Sequence, residues 1–188
     1  SKEGCCACSR LSSKTTPTSN KFPERPKYIA EEEHILKRPI ELESDVVRFQ
    51  NNKEKWIAFV GLINGRPYEI FTGFADDEEG IFCPKNINKG KIIKAIDENG
   101  NKRYDFQFVN KRGYKTTIEG LSDKFNPEFW NYAKLISGVL RYGMPINQVV
   151  KLVSGLELDN KSINTWKMGV ERAVKKYMPS EIEENTNN

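Results

Sequence analysis

Three of the four cysteines fall together in Cys5-Cys6-Ala7-Cys8. Two thiols separated by two residues, here Cys5 and Cys8, can close a small disulfide ring and exchange it with another dithiol by thiolate attack. The residues that follow are rich in Ser, Thr, Lys and Asn and carry Pro17, Pro23 and Pro26, a composition that buries too little apolar surface to offset the entropy of ordering. Cys5 and Cys8 therefore suit a redox shuttle on a flexible leash; the alternative is an inert cysteine-rich end. Other chemistry finds less support. Adjacent Cys5 and Cys6 are poor geometry for a closed tetrahedral zinc site, His34 is the one histidine, and Cys83 beside Pro84 has no histidine base to make it a nucleophile. No metal and no cofactor is expected to bind. The glycines form neither a Walker-type loop nor a dinucleotide fingerprint. Gly138 and Gly169 fall inside helical stretches, where close helix packing is preferred over ligand contact as the reason for each.

The 188 residues are 37% hydrophobic, an ordinary globular composition that suggests one domain with tails. No apolar run reaches the roughly 18 residues of a membrane span, and the crowded cysteines do not resemble a secreted disulfide framework. A reducing cytoplasm is the expected location, and the chain is expected to be a piece of a longer one. A net charge of +4 and a pI near 8.8 are modest for a dedicated nucleic-acid binder. Basic residues do interleave with aromatics at Lys85, Lys89, Lys91 and Lys94 and in Arg103-Tyr104-Asp105-Phe106, as they would on a base-stacking sheet. The alternation of Tyr104, Phe106 and Phe108, however, assigns those rings to a core.

The elements that must hold these residues begin near Asp45. Val46, Val47 and Phe49 belong to a first strand. Trp56–Ile63 and Pro67–Phe71 flank Asn64-Gly65, the dipeptide that best supplies the positive φ angles of a two-residue hairpin turn, and Pro67 either places the second arm at an edge or is that arm's first residue. Strands at Lys91–Ile96, Tyr104–Val109 and Tyr114–Ile118 continue the pattern. After Gly120 the period changes to about 3.6. Asn126 caps a helix with Pro127 at its first position and a stripe of Phe129, Ala133, Ile136 and Leu140. Pro145 opens a second helix through Val149 and Val153, and Asp159 or Ser162 caps a third through Trp166, Val170 and Val174. Strands followed by helices predict an α+β fold: an antiparallel β-meander, then three helices packed on one face, with a disordered N-terminal linker. The expected divisions are residues 1–43 as the cysteine-containing linker, 44–178 as the folded domain and 179–188 as a disordered acidic tail.

Three strings in that domain carry a resemblance. Lys55-Trp56-Ile57-Ala58-Phe59-Val60-Gly61-Leu62-Ile63-Asn64-Gly65-Arg66-Pro67-Tyr68-Glu69-Ile70-Phe71-Thr72-Gly73, Thr117-Ile118-Glu119-Gly120-Leu121-Ser122 and the run from Asn131 to Pro145 resemble the C-terminal region of adenosylcobalamin-dependent ribonucleotide reductases. The resemblance spans about Arg38 to Tyr177. It implies an accessory domain of the enzyme that makes deoxyribonucleotides for DNA replication, set after a ten-stranded α/β catalytic barrel. That barrel would hold the cobalamin and the radical cysteine, so no catalytic residue carries over and the fragment is expected to be inactive alone. By the same resemblance the partners are the catalytic barrel and a thioredoxin-like reductant, with adenosylcobalamin as the parent enzyme's cofactor. Cys5 and Cys8 look like the cysteine pair that re-reduces such active sites, although here they precede the domain. The other reading is an independent single-stranded nucleic-acid-binding or protein-interaction module.

Overall fold

The run Trp56-Ile57-Ala58-Phe59-Val60 has no polar alternation, which a strand tolerates only when both of its faces are covered, and all five residues are buried. The computed structural model describes residues 37–51, 53–75, 78, 80–157 and 161–179. Cys5, Cys6, Cys8, His34, the expected linker up to residue 36 and the tail beyond Pro179 lie outside them. Among the described residues, six strands, β1 (Glu41–Asn51), β2 (Glu54–Ile63), β3 (Arg66–Phe74), β4 (Lys89–Ile96), β5 (Lys102–Val109) and β6 (Lys115–Ile118), precede α1 (Pro127–Arg141), α2 (Ile146–Ser154) and α3 (Lys161–Lys175). This is the α+β order read from the sequence.

The strands form one antiparallel sheet in the order β3-β2-β1-β4-β5-β6. Two meanders are thus joined through the β1–β4 pair. Asn64 and Gly65 both have positive φ, as a primed hairpin turn requires, and β3 with its Pro67 lies at the edge. The boundary expected at residue 44 falls inside β1, where Leu42 is already buried.

One face of the sheet packs on the helices. Phe49, Trp56, Ala58, Val60 and Ile70 meet Phe129, Leu140, Val149, Val153, Trp166 and Val170 there. Asn126 caps α1 by accepting the Glu128 N–H, and Gly155 ends α2. Since α3 begins at Lys161, Ser162 lies within the helix and does not cap it; Asp159 is outside the described residues. The Trp166 indole donates to Thr72 Oγ1 at 2.6 Å, and a Cβ on Gly169 would lie 2.0 Å from the Phe49 ring. Close packing is therefore the reason for Gly169.

The other face curls around a second core. Four strand intervals separate β3 from β5, roughly 19 Å in a flat sheet, yet the rings of Phe71 and Tyr104 are 5.0 Å apart. Phe59 on β2 and Phe106 on β5 are 4.5 Å apart. Ile81, Cys83 and Ile87 from the β3–β4 connection, with Leu121 and Phe125 after β6, fill the concave side. These apolar plugs explain why β2 is covered on both faces.

Candidate functional site

The curl brings β3 and β5 to face one another across a gap that α1 borders, and the gap is a half-open cavity of about 440 Å³. Its position follows from the edge of β3. Ser137 on α1 accepts the Ile70 N–H at 3.0 Å and donates back to the Ile70 carbonyl at 3.3 Å, so the helix satisfies an edge that would otherwise be left open. That docking places the next residue, Gly138, and one turn on either side Lys134 and Arg141, on the cavity wall.

Aromatic rings form the rest of the wall. Phe71 is buried, while Tyr104 and Trp130 are half-buried and line the same space. Lys102, Lys134 and Arg141 bring positive charge to the lining, and Glu69 is the one carboxylate among the lining residues. Glu69 is already taken: Arg38 donates to both of its oxygens, at 2.6 and 2.9 Å. The side chains of this pair are only 6% and 2% exposed, so the negative charge is neutralised within the protein. Gly61 makes room for it, since a Cβ there would lie 2.7 Å from Glu69 Cγ. Three cations are therefore left with no carboxylate of the lining to answer them.

Two of these cations, Lys134 and Arg141, rest on rings, as does Arg38. Lys134 lies over Trp130 at 4.9 Å, Arg141 over Tyr68 at 5.0 Å and Arg38 over Tyr104 at 5.5 Å, attractions worth about 0.5–1 kcal/mol at exposed sites. Nearby Lys94 is held below the usual lysine range, through desolvation first and then repulsion from Lys102, Arg38 and Arg141. Burial, followed by the charge of Glu69, pushes the Tyr104 phenol up, so the ring stays neutral at physiological pH.

Gly138 departs from the expectation. A Cβ at this position would meet nothing within 4 Å, so close helix packing is not its reason. A glycine inside a helix costs about 1 kcal/mol relative to alanine, and here it leaves the cavity wall open beside Lys134 and Arg141. The sequence does not distinguish Gly138 from Gly169; only the placement of α1 against the β3 edge does.

Of the residues singled out in the sequence, Cys5 and Cys8 lie outside the described residues. Cys83 is buried, and burial pushes its thiol up while the Arg48 guanidinium, 3.5 Å from Sγ, pulls it only part of the way back. It stays a protonated thiol at neutral pH, which suits a core residue and not a nucleophile. Phe106 and Phe108 are core residues as the alternation suggests, whereas Tyr104 divides its ring between core and cavity. Among the described residues, no group of three or more His, Cys, Asp or Glu side chains is placed to hold a metal. No described helix is long and apolar enough to cross a membrane.

The three strings that carry the resemblance meet at this cavity: the first supplies Glu69 and Phe71, the second Ser122, and the third Lys134, Ser137, Gly138 and Arg141. The family model described as NrdJ homologue C-terminal domain matches residues 42–179. No curated protein and no solved structure matches the chain.

Proposed function

This chain belongs to the NrdJ homologue C-terminal domain family, a C-terminal domain related to class II ribonucleotide reductase, and from that premise we propose that it serves such a reductase as an accessory domain. The family match over residues 42–179 is the observation that carries the reading. Cobalamin and the radical cysteine belong to the catalytic barrel, where the ribonucleotide is reduced. The part proposed for Cys5 and Cys8 is to carry reducing equivalents. Their dithiol passes two electrons to the barrel's disulfide, becoming a disulfide itself, and a thioredoxin-like dithiol reduces it again by exchange.

The parent reductase provides the test. Deleting residues 42–179 is expected to lower ribonucleotide reduction or disrupt assembly, while the 188-residue chain with adenosylcobalamin and a dithiol forms no deoxyribonucleotide. Replacing Cys5, Cys6 and Cys8 with serine should slow multiple turnover with thioredoxin and leave a single turnover of prereduced enzyme unchanged. A deletion that alters neither rate nor assembly removes the accessory role, and an unchanged multiple-turnover rate removes the shuttle.

A further inference from the structure

We propose that the cavity between β3, β5 and α1 binds a phosphorylated small molecule with a flat ring, of the size of a nucleoside monophosphate. A volume of about 440 Å³ lies within the range of small-molecule sites, which are largely apolar with a few charged groups that fix orientation. The two halves of such a ligand find separate partners here. Tyr104 and Trp130 present half-buried rings over which Arg38 and Lys134 already lie, so a flat ring packs against the parts of them that line the cavity. Lys102, Lys134 and Arg141, whose charge no lining carboxylate answers, supply donors to a phosphate.

The protein is built to keep that charge available. Arg38 holds Glu69 on two hydrogen bonds, so the one carboxylate of this lining does not compete with the ligand. Lys102, Arg38 and Arg141 also repel the nearby Lys94, which desolvation first of all holds down, and an anion at the cavity offsets that repulsion. Gly138 adds an independent observation, because a helix-interior glycine with empty space at its Cβ position keeps this wall clear. A single strand of nucleic acid is a poorer fit than a free small molecule. It needs a continuous basic groove, whereas these cations border one half-open cavity. The inference does not rest on the reductase reading, since binding is measured on this chain alone.

Calorimetric titration of the 188-residue chain with AMP, GMP, CMP, UMP and flavin mononucleotide tests it. Saturable binding of at least one is expected. The matching nucleoside or riboflavin, and ribose 5-phosphate, should each bind on the order of tenfold more weakly, because each forfeits one half of the site. Gly138→Leu places a side chain into the cavity from a position where a Cβ meets nothing within 4 Å, and should abolish binding without lowering Tm. The double variant Lys102→Ala/Lys134→Ala removes two exposed cations and should weaken binding by a comparable factor. Any of four results overturns the proposal: no saturable binding by any of the five compounds, ribose 5-phosphate binding as tightly as the best of them, folded variants binding like the native chain, or an oligothymidylate strand binding more tightly than every mononucleotide.

Discussion

Gly138 and Gly169 occupy the same kind of place, each inside a helix, and sequence spacing cannot tell them apart. Their surroundings are opposite: open space at one, the Phe49 ring at the other. Alanine therefore has opposite effects. Gly138→Ala should raise stability by about 1 kcal/mol through helix propensity alone. Gly169→Ala should lower it by about 1–3 kcal/mol, because the methyl group must displace a core aromatic ring. Urea denaturation of the two variants measures both, and a loss at Gly138 equal to that at Gly169 would show that α1 packs more tightly than described. Charge is organised at the same scale. Glu69 is legible in the sequence only as an acidic residue in an apolar strand, and its meaning comes from Arg38, thirty-one positions away. No spacing rule connects the two.

At the scale of elements, much of the fold is legible from local chemistry. Asn64-Gly65 dictates a hairpin by backbone conformation, Asn126-Pro127 starts α1 by capping and fixed φ, and the stripe Phe129, Ala133, Ile136 and Leu140 is the buried face. The curl of the sheet is not legible, because it depends on apolar plugs from the β3–β4 connection and the turn after β6 meeting strands distant in sequence. The cavity follows from that curl and was hidden with it. The contacts made before residue 44 are not legible for a related reason: Arg38 and Leu42 carry no periodic signal, yet both are built into the structure. A chain beginning at Lys37 should match the native urea midpoint. One beginning at Glu43 exposes the surface that Leu42 covers, worth about 1.5–3 kcal/mol, and leaves Glu69 buried without Arg38, a loss of about 3–5 kcal/mol. Domains of this kind have about 5–15 kcal/mol in total, so the shorter chain should unfold at a much lower midpoint. Equal midpoints would mean that neither contact contributes.

For the molecule as a whole, the turn that follows α3 is tied back to β1. Tyr177 donates to Asp45 Oδ2 at 2.6 Å and Lys176 to the same oxygen at 3.2 Å, across more than 130 residues. The contact closes the helical layer onto β1 and makes stability depend on pH at both extremes. Burial raises the Asp45 carboxyl, but hydrogen bonds from Tyr177 and Lys176 and the charges of Lys176 and Lys89 outweigh it and hold the group below the ordinary value of 3.8. At neutral pH the carboxylate is charged in both states and the contact contributes fully. As pH falls below that value the unfolded chain takes up the proton first, so the contribution shrinks. Tyr177 behaves in the opposite direction: burial, then the hydrogen bond to Asp45 and its charge, push the phenol well above its ordinary value of 10.0. Above that pH the unfolded chain loses the phenolic proton while the folded chain keeps it, and stability declines again. Asp45→Asn and Tyr177→Phe should each cost about 1.5–3 kcal/mol at pH 7, the range for a hydrogen bond to a charged group. Measured by urea denaturation across pH, the deficit of Asp45→Asn should narrow below pH 3.8, and that of Tyr177→Phe should narrow above pH 10. Deficits that stay constant across the whole range would show that the contact is not coupled to either proton.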